Sequence, residues 1–65
     1  MDIDVKELNM VITSGERTYR LMIRKSDDCS RLILISEDYE LIESKCIDHV
    51  RLGTIINFLR TVLTR

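Results

Sequence analysis

Residues 31–36, RLILIS, carry four large aliphatic side chains in a row between an arginine and a serine. A short apolar run of this kind reads as a strand with both faces covered. Side chains alternate along a strand, so Leu32 and Leu34 point one way and Ile33 and Ile35 the other. Each pair therefore needs its own cover. The chain supplying that cover has only 65 residues, and a domain of this size buries roughly 60% of the surface its unfolded form exposes. If a single helix lies on one face of the sheet, the other face calls for a second subunit or a partner.

The neighbouring segments place this strand in a meander. Residues 18–24, TYRLMIR, alternate: Tyr19, Leu21 and Ile23 face one way, and Thr18, Arg20, Met22 and Arg24 the other. Residues 4–13 show Leu8, Met10 and Ile12 in the same period of two, with helix as the competing reading for the first few residues. Gly15 sits in the intervening SGER, where a tight hairpin turn calls for positive φ. KSDDCS is a turn rich in Asp and Ser, whose side chains bond their own backbone. Residues 37–47 fit either a fourth strand, at about 39–45, or a helix capped by Ser36; the strand is favoured.

From Asp48, a plausible N-cap, the pattern is helical. Projected at about 100° per residue, Leu52, Ile55, Ile56, Phe58, Leu59, Val62 and Leu63 fall on an arc of roughly 160°. One small sheet usually meets a narrower stripe. The opposite side, Thr54, Asn57, Thr61 and Thr64, is uncharged, and Arg60 is the only charge between Leu52 and Leu63. A solvated helix normally carries more Lys and Glu. Leu52, Ile56, Leu59 and Leu63 are therefore candidates for a dimer interface, unless the sheet curls to cover the whole arc. Gly53 either permits a close approach or marks the helix boundary.

The apolar set is nine Ile, eight Leu, four Val and three Met, with no Ala or Trp. One helix and one sheet cannot hide so many bulky side chains, which again points to an interface. The net charge of −1 predicts neither a nucleic-acid binder nor an acidic mimic of nucleic acid, but its distribution is uneven. Residues 17–31 hold five basic and two acidic side chains, a net of +3; residues 36–48 hold five acidic and one basic, a net of −4. Such bipolarity steers a partner or aligns two copies head to tail, or else it only keeps hairpin exteriors soluble. Cys29 and Cys46 form no CxxC pair, and His49 is the only histidine, so no zinc site is expected within one chain. The N-terminus lacks the apolar core of a signal peptide and no apolar run spans a membrane. A reducing cytoplasm with both thiols free is the expectation, Cys46 buried and Cys29 exposed in its turn.

Nothing in the chain carries recognisable catalysis. Cys46 and His49 are three residues apart, a spacing that meets on a helix, but no pocket or oxyanion hole accompanies them. His49 reads as a surface residue. Asp27-Asp28 and Glu37-Asp38 lack the spaced oxygens of a calcium loop and read as turn formers. No glycine-rich phosphate cradle and no basic helix for a DNA groove is present. No enzyme, metal or cofactor is expected.

What remains is the basic surface of the first hairpins: Arg17, Arg20, Arg24, Lys25 and Arg31. Seven of the ten basic residues are Arg, which suits two-pronged contact with carboxylate or phosphate. Single-strand binding needs stacking rings beside such charges; Tyr19 lies on the face opposite Arg20 and Arg24, and Tyr39 has no assigned face.

The element order, four strands and then a dimerising helix, resembles the PC4-type single-strand-binding fold. That family's basic β-loop motifs have no counterpart here, so the resemblance implies architecture alone. In size and lack of motifs the chain also resembles small phage and mobile-element proteins, inhibitors of host defence among them.

The resulting expectation is one α+β domain over residues 1–65, an antiparallel β-meander of three to four strands with a C-terminal amphipathic helix packed on it. Its expected role is that of a non-enzymatic protein-interaction module, a homodimeric regulator or inhibitor binding another protein through the basic hairpin face. A dimeric single-strand nucleic-acid-binding regulator is the alternative, and a structural oligomer subunit with no separate ligand is a third possibility.

Overall fold

The computed structural model describes residues 5–64; Asp4, expected to open the first strand, and Arg65 at the chain end lie outside them. Four strands precede one helix: β1 (Glu7–Ser14), β2 (Arg17–Lys25), β3 (Ser30–Ser36), β4 (Leu41–Ile47) and α1 (Leu52–Leu63). The strands pair antiparallel in the order β1-β2-β3-β4, and α1 packs on one face. This is the expected α+β meander, with residues 41–47 a strand.

The turns follow from local chemistry. Ser14 pairs with Arg17 across two residues, and Gly15 has φ +64°, a backbone that glycine adopts without steric cost. In the β2–β3 turn, Ser26 N–H donates to the Cys29 carbonyl at 2.9 Å and the Ser26 hydroxyl donates to the same oxygen at 2.7 Å. In the β3–β4 turn, Tyr39 N–H donates to the Ser36 carbonyl at 3.0 Å and Ser36 N–H to the Glu40 carbonyl at 2.9 Å. The Ser36 hydroxyl accepts from Glu40 N–H at 3.2 Å.

The register puts the alternating residues where the period of two requires. Leu8, Met10 and Ile12 stand opposite Ile23, Leu21 and Tyr19; Leu21 and Ile23 stand opposite Leu34 and Leu32. On this face Leu21, Leu32 and Leu34 are fully buried, and Ile23, Phe58 and Val62 complete the core. Met10, Ile12, Tyr19, Ile47, Val50, Ile55, Leu59 and Leu63 pack around it. On β4 the same face carries Glu43 and Lys45, opposite Leu34 and Leu32. The helix meets them with Thr54, Asn57 and Thr61 across a groove of about 420 Å³ floored by Ile47, Phe58 and Val62. The uncharged polar flank of α1 thus lines this groove beside the polar edge of the sheet, with Thr54 half-buried and Asn57 and Thr61 exposed.

Three expectations are corrected. The helix begins at Leu52, with Arg51 as N-cap and no side-chain cap bond, so Asp48 caps nothing. Residues 48–51 carry the chain from the sheet edge to the helix, and Val50 packs on the core along the way. The cysteines are not free thiols: Cys29 and Cys46 form a disulfide, with Cα atoms 5.8 Å apart. Cys46 is exposed and Cys29 half-buried, the reverse of the expectation. Hairpin register explains the pairing. Ser30 stands opposite Ile47 and Arg31 opposite Cys46, which brings the residue before β3 beside the end of β4.

Gly53 lies in the first turn of α1, and a Cβ built on it meets nothing within 4 Å. No close approach needs it. Gly53→Ala should therefore stabilise the fold by about 0.5–1 kcal/mol, by helix propensity and a less free unfolded chain. Thermal unfolding followed by circular dichroism measures this, and a lower midpoint would contradict it. Reduction acts in the opposite direction. For a sequence separation of 17, the loop-closure model gives about 3 kcal/mol of stabilisation. Urea unfolding with and without reductant should show an unfolding free-energy difference of that size; equal midpoints would mean the thiols are unpaired in solution.

Candidate functional site: the uncovered sheet face

With α1 on one face, the other face of the sheet stands open. Its side chains follow from the same register. One row is Glu7, Arg24, Arg31 and Cys46; the next is Asn9, Met22, Ile33 and Ser44; the third is Val11, Arg20, Ile35 and Leu41. The third row depends on an irregularity. Leu34 pairs with Glu43 but Ile35 pairs with Leu41, so β4 holds one extra residue, Ile42. This bulge turns Leu41 out beside Ile35 and leaves Ile42 lining the helix side with Val62 and Leu63.

Met22, Ile33 and Ile35 are half-buried by their neighbours, while Val11 and Leu41 are about two-thirds exposed, at 65% and 64%. Tyr39 is the most open of the aromatic side chains at 73%. It lies beside this face: the Arg20 guanidinium carbon is 5.7 Å from its ring centroid, within the range of a cation–π contact. Asn9, Val11, Arg20, Met22, Ile35 and Tyr39 line a shallow hollow of about 320 Å³ there.

The five predicted basic residues divide between the two faces. Arg20, Arg24 and Arg31 share the open face. Arg17 and Lys25 have the parity of Leu21 and lie at the two ends of β2 on the helix side. Arg24 stands directly opposite Arg31, a like-charge pair that costs free energy in a sheet. Glu7 relieves it, its carboxylate 2.7 Å from Arg24 Nε. Arg31 donates to the Ser44 hydroxyl at 3.1 Å. Arg20 and Arg31 thus contact neutral groups, and their charges remain available.

The four predicted dimer residues also divide. Leu52 is 74% and Ile56 44% exposed, whereas Leu59 and Leu63 pack partly buried against the core. The helix is rolled so that one end of its apolar arc is buried and the other overhangs on the side away from β4. His49 is exposed on the connector. Among the described residues no group of three His, Cys, Asp or Glu is gathered for a metal ion, and no helix is long and apolar enough to cross a membrane.

Tyr39, Val11 and Leu41 were not predicted as site residues. Val11 falls out of phase with Met10 and Ile12, which was the available signal. Leu41 depends on the bulge, which its sequence does not announce. No protein-family model, no curated protein and no solved structure matches this chain.

Tyr39 has φ +63°. A non-glycine residue in this left-handed region costs about 1–2 kcal/mol. Tyr39→Gly should raise stability by about 1 kcal/mol, since an exposed ring contributes little to the core. Urea unfolding measures this, and a destabilised variant would show that the Arg20 contact outweighs the strain.

Proposed function

We propose that this chain is a non-enzymatic protein-interaction module, a homodimeric regulator or inhibitor that binds another protein through the outer face of its β2–β3 hairpin. The supporting observation is the apolar strip Met22, Ile33, Ile35 and Leu41, uncovered and flanked by Arg20, Arg24 and Arg31. An exposed apolar patch with a charged rim is the usual form of a protein-binding surface. The dimer is supported by the overhanging flank of α1, where Leu52 and Ile56 stand exposed and no acidic residue intervenes. A cytoplasmic site of action goes with the reduced form of Cys29 and Cys46; the disulfide goes with an oxidising one.

A second reading gains from one observation. The Tyr39 ring beside Arg20 provides the stacking partner that single-strand nucleic-acid binding requires. The aliphatic side chains filling the rest of the face support the protein reading instead. Salt separates the two: phosphate binding falls steeply with salt, and apolar docking does not.

Molar mass in solution tests the dimer. Light scattering should give twice the 7.6 kDa chain mass, falling to the monomer in Leu52→Glu and Ile56→Glu with unchanged circular dichroism. These positions are preferable to Leu63, whose core packing would mix dissociation with unfolding. A monomer at every concentration would refute self-association.

A further inference from the structure

The open face is more sharply defined in charge than the chain as a whole. Among the described residues, Glu7, Arg20, Arg24 and Arg31 are the charged members of its three rows, a net of +2 on a chain whose total is −1. The Glu7–Arg24 ion pair is local and neutral. The remaining positive charges, Arg20 and Arg31, stand in the outer two rows and, among the described residues, have the Tyr39 ring and the Ser44 hydroxyl as their polar or ring contacts. Two such faces pressed together about a two-fold axis would set +2 against +2 around a desolvated centre, which disfavours a second copy of this chain as the occupant. An acidic occupant has the reverse relation. Each of its carboxylates placed against Arg20 or Arg31 gains a guanidinium fork not already engaged by an acid.

The hollow beside Tyr39 states the apolar half of the same requirement. Val11, Met22, Ile35 and Tyr39 line a hollow of about 320 Å³, at the small end of the concavities that take a bound group. Tyr39 is held over it by a turn in which the residue type most at ease would be glycine or asparagine. Backbone strain retained at an exposed aromatic is the pattern of a residue kept for contact, and tyrosine and arginine are the residue types that dominate binding energy at interface centres.

Building on the protein-interaction reading above, we infer that the open sheet face receives an acidic amphipathic segment of an unrelated protein. The segment's apolar anchor enters the hollow between Val11, Met22, Ile35 and Tyr39, and its carboxylates meet Arg20 and Arg31. The occupant lies on the sheet opposite α1 and covers the face that Ile33 and Ile35 leave open.

The test is selection from a random 16-residue peptide library displayed on phage against the purified full chain, oxidised and folded. Enriched peptides should carry Asp or Glu flanking a large apolar residue. A synthetic copy of the best peptide should shift backbone amide resonances of β2, β3 and residues 36–41. Arg20→Glu and Arg31→Glu should each weaken its binding about tenfold, and Tyr39→Ala about 30-fold. All three positions are surface sites, so circular dichroism should show the fold intact. Three results would overturn the inference. Enriched peptides that lose no affinity when their acids become Gln would refute the acidic occupant and leave a protein-binding face. No enrichment, together with salt-sensitive binding of a 15-mer of deoxythymidine, would refute both this inference and the protein reading in favour of nucleic acid. Amide shifts confined to α1 would place the docking surface on the helix.

Discussion

The contact among Leu21, Leu32 and Leu34 is the constraint from which the remaining architecture follows. These are the fully buried side chains of the described residues, and they sit where the two central strands meet beneath α1. Strand geometry then dictates the consequence. Burying Leu32 and Leu34 under the helix sends Ile33 and Ile35 to the other side. Among the described residues no second helix covers that side. Strand neighbours leave Ile33 and Ile35 half-buried on that side.

Two local features position the edge strand. The bulge at Ile42 changes the phase of β4, so that one strand presents Glu43, Lys45 and Ile47 to the helix and Leu41 to the open face. The Cys29–Cys46 bridge fastens the far end of the same hairpin. Between them they hold an edge strand with a polar inner face, which would otherwise gain little from packing. A small domain with so thin a core relies on such covalent support.

The parts of the fold legible in the sequence were those set by period. The alternation of Tyr19, Leu21 and Ile23, and the apolar run of residues 32–35, determine strands and faces together, because a one-residue slip would expose every leucine of the core. Gly15 marked its turn for steric reasons alone. The helix was readable from its apolar arc, but its start was not. Asp48 has capping chemistry without the geometry, because residues 48–51 are needed to cross from sheet edge to sheet face. The disulfide depends on register between two strands and on no local pattern. The site was half legible: charge identified Arg20, Arg24 and Arg31, while Arg17 and Lys25 share their sequence neighbourhood but not their face. Tyr39 could not be assigned because its position depends on a turn conformation that the residue itself disfavours.

The two apolar surfaces differ in what they select. The α1 flank around Leu52 and Ile56 has no acidic residue within the helix and only Arg60 as a charge, so it discriminates partners by shape alone and suits a copy of itself related by symmetry. The sheet face combines an apolar hollow with unneutralised arginines, a combination that disfavours a second copy of itself. Like charge desolvated across an interface costs more than a hollow returns, whereas opposite charge adds specificity and speeds encounter. A dimer through the helices would leave both sheet faces outward, each with its own hollow. A two-site module of that kind gains avidity toward a target that presents two acidic segments, provided the spacing of those segments matches the spacing of the faces.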